Sequence, residues 1–195
     1  MTEADLQLPM RLTDKTKHWL AAIICIFAAA VVIFVLWWTG FFLPGWIIWQ
    51  DKTLAIPAGI NDVSGELVLH NRKLQYQRNG VTLYETDPAW YISDMLITDI
   101  DMDGDDEAVM LVWNHENYGD HHPFWETNDS FSFSQHLYIY DLLPVSLQPE
   151  WMSSRLAPNI KDWDIDCDQI ITITDPYDNT SQWQWQGRSI VRIDE

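Results

Sequence analysis

Carboxylates crowd one short stretch of the chain, TDIDMDGDDEAVML, from Thr98 to Leu111. Asp99, Asp101 and Asp103 alternate along it, Gly104 follows, and Asp105 and Glu107 complete the series. Alternate positions of a tight turn aim their side chains at one point, and a glycine permits the sharp bend that returns the chain. Calcium takes about six to eight oxygen ligands in irregular geometry, so such a loop suits it. Asp105 can add its main-chain carbonyl, and Glu107, opening the next apolar run, can close the shell. The competing reading is an acidic turn that only caps a strand. Unpaired carboxylates this close repel one another, which favours a bound cation. Such an ion would be structural, stabilising the fold by mass action.

A second group of metal-ligating types lies in NHENYGDHHPFWETNDSFSFSQH, residues 114–136. Here His115, His121, His122 and Glu126 are candidate ligands for zinc or another transition metal. No fixed-spacing signature such as H-E-x-x-H supports them, and adjacent His121 and His122 point apart in an extended chain. The alternative is a polar, aromatic loop, the kind of segment that carries binding residues on a rigid β scaffold. No Ser-His-Asp set, P-loop or CxxC is visible.

The elements around these groups read as strands. Short runs rich in Val, Ile, Tyr and Trp (ELVLH, KLQYQ, VTLYE, WYISDMLI, EAVMLVW, HLYIYDL, QIITIT, WQWQ, SIVRI) are separated by turn dipeptides. YQRNGVTLY predicts a hairpin turned at Asn79-Gly80, where both residues tolerate positive φ. Three segments run from an acidic turn into an apolar strand: DVSGELVL, DMDGDDEAVML and DIDCDQIITI. Their strand starts, Glu66, Glu107 and Gln169, recur at about 40 residues once the irregular stretch 114–135 is set aside, the period of a four-stranded propeller blade. The expected fold is an all-β outer domain of about three propeller-like blades. Closed propellers have about four to eight, so the stack is open or is closed by a partner.

The acidic loop is not an EF-hand, because the twelfth residue counted from Asp99 is Met110. With strands on both sides it resembles the calcium loop of FG-GAP repeats, the blade units of integrin alpha-chain propellers and related bacterial surface proteins. The likeness is strong over Trp90–Trp113 and rests elsewhere on repeat spacing. It implies Asp99, Asp101, Asp103 and Glu107 as side-chain ligands of calcium and Asp105 as a main-chain ligand. The sister turns depart from the pattern: DVSGE has too few acids, and DWDIDCD has Cys167 where the glycine belongs.

Ahead of the β region, WLAAIICIFAAAVVIFVLWW, Trp19 to Trp38, carries no charge, proline or glycine. That is the length of a bilayer-spanning helix and too long for a signal-peptide core. Arg11, Lys15 and Lys17 precede it and only Lys52 follows closely, so the positive-inside rule places the N-terminus in the cytoplasm. Trp19 on one side and Trp37, Trp38, Phe41, Phe42, Trp46 and Trp49 on the other suit interfacial aromatic belts. The expected layout is a cytoplasmic tail 1–17, a plasma-membrane signal-anchor helix 18–40, a juxtamembrane segment 41–60 with room for one short strand, and an extracytoplasmic β domain 61–195.

Acids and bases balance in the tail, so the outer part carries the net charge of −18. Coulomb repulsion then opposes nucleic acid and anionic lipid headgroups. Cys25 falls in the apolar span and Cys167 beyond it, so no internal disulfide is expected. The leading functional expectation is a membrane-anchored, calcium-stabilised module that binds a protein or a cell-envelope polymer. The alternatives are a metal-dependent hydrolase using residues 114–136, and a structural subunit of an envelope complex.

Overall fold

The structure, a computed structural model, describes residues 14–56, 65–115 and 132–194. It divides into two units, one ending at Leu43 and one running from Pro44 onward.

The first unit is helix α1, Asp14–Trp38. Its end follows from local sequence. Gly40 adopts φ 68°, its amide bonds the Trp37 carbonyl at 3.2 Å, and the Phe41 amide reaches back to Leu36 at 2.9 Å. That pair of bonds is a Schellman cap, for which glycine is the favoured residue. The helix has a mean hydropathy of 3.0 over its most apolar window, and none of its residues is buried. A helix apolar all round finds its low-energy environment in a membrane or inside a larger core. By length and composition α1 can cross a bilayer.

The second unit is almost wholly β. Strands β1 (Lys52–Ile56), β2 (Gly65–His70), β3 (Lys73–Arg78) and β4 (Val81–Glu85) form one antiparallel sheet in chain order. Strands β5 (Tyr91–Thr98), β6 (Glu107–His115), β7 (Phe133–Leu143) and β8 (Ser146–Met152) form the second. Strands β9 (Asp162–Ile165), β10 (Ile170–Thr174), β11 (Thr180–Trp185) and β12 (Ile190–Arg192) form the third. None of the sheets closes on itself. The three expected repeat starts fall in or directly before the second strand of each sheet.

The second sheet lies between the other two, and its side-chain alternation divides between two cores. Ala108, Met110, Val112, Tyr138, Tyr140 and Leu142 face the first sheet, against Leu67, Leu69, Leu74 and Tyr76. Val109, Leu111, Leu137 and Ile139 face the third, against Trp163, Ile171, Ile173 and Trp185. Burial on both faces explains why EAVMLVW is apolar without alternation. The two outermost faces are mostly polar, with Ala55 and Val68 on the first and Ile170 and Val191 on the third as apolar exceptions. Thr53, Glu66, Gln75 and Gln77 point away from the stack on one side, and Asp162, Asp164, Thr172, Thr174, Gln182 and Gln184 on the other.

Two hairpins show how local sequence fixes register. Asn79 and Gly80 join β3 to β4 with φ of 51° and 75°, the type expected from Asn-Gly. Asn71 and Arg72 join β2 to β3 with φ of 49° and 66°, and this turn has no such sequence signal. Arg72 is held by its guanidinium, 4.1 Å from the Trp49 ring centre.

The β unit begins earlier than residue 61. β1 pairs along its length with β2, Ile47 and Ile56 are buried, and Trp46 packs against Trp113 at 5.8 Å. The segment 41–60 therefore supplies the first strand, and Trp46 and Trp49 pack within the β unit. Cys25 and Cys167 are both free.

One side chain links all three sheets. Asp94, on β5, accepts a bond from Trp163 Nε1 of β9 at 2.8 Å and pairs with Lys52 of β1 at 2.6 Å. Asp94→Ala leaves a half-buried ammonium and an indole N–H without their acceptor. We expect a loss of about 2–3 kcal/mol, read as a lowered denaturation midpoint with unchanged m-value.

Candidate metal centre

The acidic loop spans the connection from β5 to β6, closed at its base by the Thr98–Glu107 strand pair. Ile100 is 1% exposed and packs into the core facing the third sheet. That apolar anchor directs its neighbours Asp99 and Asp101 outward. The Asp99 carboxylate then organises the turn, accepting the amides of Asp103 through Oδ1 and Gly104 through Oδ2, both at 3.0 Å. Asp101 Oδ1 accepts the Asp103 amide at 3.1 Å. Met102 and Gly104 adopt φ of 62° and 102°, and the glycine stands where a left-handed backbone is required.

Glu107 reaches back across the loop. Its Oε2 accepts the Ile100 amide at 2.9 Å, and the residue is 5% exposed. Carboxylate oxygens of Asp99, Asp101 and Glu107 all lie within 4.8 Å of one another. The structure thus brings together three of the five residues expected as ligands. Asp103 is not part of this triplet, and its Oδ1 accepts the Asp105 amide at 2.9 Å. Asp105 likewise supplies no side-chain oxygen to the triplet.

The electrostatics are those of uncompensated negative charge. Burial, then the nearby Asp101, Glu150 and Asp103 carboxylates, push Glu107 up to about 8 despite the opposing Ile100 bond. Asp101 is raised by desolvation and by Asp103 and Asp99. Among the described residues, no lysine or arginine pairs with Asp99, Asp101 or Glu107. An all-oxygen set of this charge fits a hard divalent cation better than zinc, which prefers nitrogen and sulfur.

Three further acids belong to this face. Asp141 stands opposite Glu107 across the β6–β7 ladder, and Glu150 lies on the neighbouring β8. Both are raised by desolvation, Asp141 then by Asp101 and Asp103, and Glu150 by Asp101, Asp141 and Asp103. Asp106 is raised by desolvation and by Asp99 and Asp105. Asp141 and Glu150 are far from the loop in sequence and join it only through strand register. The single legible hint was an aspartate inside the apolar run HLYIYDL.

The corresponding turn of the third sheet is built differently. Asp166 Oδ1 accepts the amides of Asp168 and Ile170, both at 2.9 Å, and the positive φ, 59°, falls on Gln169.

Of the histidine-rich candidates, His115 ends β6 with its ring 3.9 Å from that of Phe133. His121, His122 and Glu126 lie outside the described residues. His136 is buried in β7, where Nδ1 donates to the Ser153 carbonyl at 3.0 Å. Nε2 lies 2.8 Å from the Ser134 hydroxyl, so both ring nitrogens are engaged.

Compared with protein-family models, with curated proteins and with solved structures, the chain matches none.

Proposed function

We propose that the chain is a single-pass, membrane-anchored binding module whose extracytoplasmic β domain is locked by calcium. In this reading α1 crosses the plasma membrane with its N-terminus in the cytoplasm, as the cations before the span favour. The three sheets are blades of the FG-GAP type, the second carrying the calcium loop. The domain presents its surface to a protein or a cell-envelope polymer. The observation that carries the calcium assignment is the convergence of Asp99, Asp101 and Glu107 within 4.8 Å. Calcium relieves their mutual repulsion and satisfies a buried carboxylate that no basic side chain serves. The mostly polar outer faces of the first and third sheets support a stack that needs no further blade.

The test is a thermal melt of the full chain in detergent micelles with calcium, with magnesium and with a chelator. Calcium at about a hundred times its Kd stabilises by about 2.7 kcal/mol, a rise of roughly 5–10 °C for a domain of this size. Asp101→Ala removes that rise. Asp99→Ala lowers the melt with or without calcium, because Asp99 also holds the turn's amides. Equal melting in calcium and chelator by the unsubstituted protein would overturn the assignment.

A further inference from the structure

A cleft of about 230 Å³ opens between the second and third sheets, well separated in sequence from the acidic loop. Trp151 of β8 and Trp183 of β11 line it, together with Arg155 and the hydroxyl-bearing Ser153, Ser154 and Ser189. We propose that this cleft binds a saccharide unit carrying a single carboxylate, of the uronic acid class.

Charge comes first. The chain carries a net charge of −18, yet among the described residues no carboxylate lines the cleft. Beyond the helix, the basic side chains elsewhere are engaged. Lys52 pairs with Asp94, Lys161 with Asp178 and Arg192 with Asp194. Arg72 lies over Trp49, Lys73 bonds the Pro88 carbonyl, and Arg78 bonds that of Pro144. Among the described residues, Arg155 and Arg188 alone of this set make no ion pair, side-chain hydrogen bond or cation–π contact. Arg155 lines the cleft, and Arg188 precedes Ser189, which also lines it. A free guanidinium matches a carboxylate with two parallel N–H bonds. One such fork within a strongly acidic domain suits a monoanion; a polyanion would meet the repulsion of the surrounding surface.

Shape and polarity narrow the class. Both indoles are half-buried and held in place. Trp151 packs on Trp185 at 5.0 Å, and Trp183 Nε1 donates to Ser181 Oγ at 2.9 Å. The electron-rich face of an indole attracts the polarised C–H bonds that line one side of a pyranose ring. The serine hydroxyls offer partners to the ring's own hydroxyls, which a flat aromatic acid would leave unmatched. The volume falls below the roughly 300–1,000 Å³ of pockets for drug-sized ligands, which limits the occupant to about one ring. A smaller cavity, about 20 Å³ beside Asp94 and Trp163, has room only for water.

This inference deepens the binding-module reading and rests on it, but it does not depend on calcium. The full chain in lipid nanodiscs is titrated with methyl glucuronide, followed by saturation-transfer NMR and indole fluorescence. Methyl glucoside and benzoate serve as comparison ligands. Saturable millimolar binding of the glucuronide is expected, with strongest transfer to its ring C–H protons. Arg155→Ala should weaken it roughly ten- to hundredfold and abolish the preference over the neutral glucoside. Arg155→Lys should retain part of the affinity, and both variants should melt as the unsubstituted protein does, since the side chain bonds nothing. Absent binding at millimolar glucuronide, unchanged affinity in Arg155→Ala, or tighter binding of benzoate overturns the proposal. A calcium-dependent melt on the same sample separates this outcome from failure of the anchored, calcium-locked module.

Discussion

With a chelator present, the protein melts at progressively lower temperature as pH rises from about 5 to about 8, and saturating calcium cancels that fall. The cause is Glu107, whose folded-state value of about 8 stands above the ordinary 4.5. The folded chain holds this proton more tightly than the unfolded chain does. Its contribution is therefore fully present below the ordinary value and disappears as pH climbs through the window between the two. Asp101, Asp106, Asp141 and Glu150 are shifted in the same direction and steepen the decline just above the ordinary carboxylate range. Asp175 and Asp194 are shifted downward, by the Asn179 and Arg192 side chains respectively, so their effect falls in acid, outside this window. A shift of one unit corresponds to about 1.4 kcal/mol; with water reaching part of the loop, we expect a total of about 2–4 kcal/mol.

Calcium and the proton compete for the same oxygens, so calcium affinity should rise over the same interval. Glu107→Gln separates the two. The amide oxygen still accepts the Ile100 amide, while the buried charge is gone. In chelator at pH 8 this variant should melt higher than the unsubstituted protein, by roughly 3–10 °C, corresponding to about 1–3 kcal/mol. Its pH slope should flatten, and calcium should no longer shift it. Circular dichroism melts across the pH series decide the matter: a Gln variant that keeps the full slope would place the titrating group elsewhere.

How much of this was legible depended on whether the interaction was local in sequence. The acidic loop could be read as a candidate ion site because its alternating acids and its glycine lie within nine residues, Asp99–Glu107. The Asn79-Gly80 hairpin could be read because both residues tolerate the positive φ they adopt. Asp141 and Glu150 could not be assigned to the acidic face, since β6–β7 register and β7–β8 pairing bring them there. The turn at Asn71-Arg72 was hidden for a different reason. Arginine is a poor candidate for φ 66°, and what holds it is Trp49, twenty-three positions earlier, together with the Ile92 amide on its carbonyl at 2.9 Å. β1 was obscured by its setting, because WIIWQDKTLAI beside a hydrophobic span looks like membrane-interface sequence until its pairing with β2 is seen. Asp103 shows the limit of spacing alone. Its position in the series suggests a ligand, yet it stands outside the converging triplet, with its Oδ1 accepting the Asp105 amide.

Gly65→Ala should be the most damaging single-methyl change in the first sheet. The position has φ +145°, a region that side chains other than hydrogen rarely enter, and it is the first residue of β2, opposite Ile56 of β1. A Cβ there would stand 2.4 Å from the Gln77 carbonyl oxygen and 2.8 Å from Cε2 of Tyr76. Neither neighbour yields easily. The first is backbone of β3, and the second belongs to a ring that is 0% exposed, with its hydroxyl donating to the Pro144 carbonyl at 3.3 Å. Relief would require β2 and β3 to separate or Tyr76 to leave the core it shares with Met110 and Tyr140. Backbone strain and overpacking together should cost about 3–5 kcal/mol, a fall of roughly 6–15 °C in the melt. Gly104→Ala is the control, because its φ of +102° is also unfavourable but nothing lies within 4 Å of the added methyl. That change should cost only about 1–2 kcal/mol of strain, felt mainly as weaker calcium stabilisation. The glycine in DVSGELVL therefore serves close strand packing, while its counterpart in DMDGDDEAVML serves the bend of the acidic loop. Equal costs for the two substitutions would mean that β2 and β3 do not approach so closely.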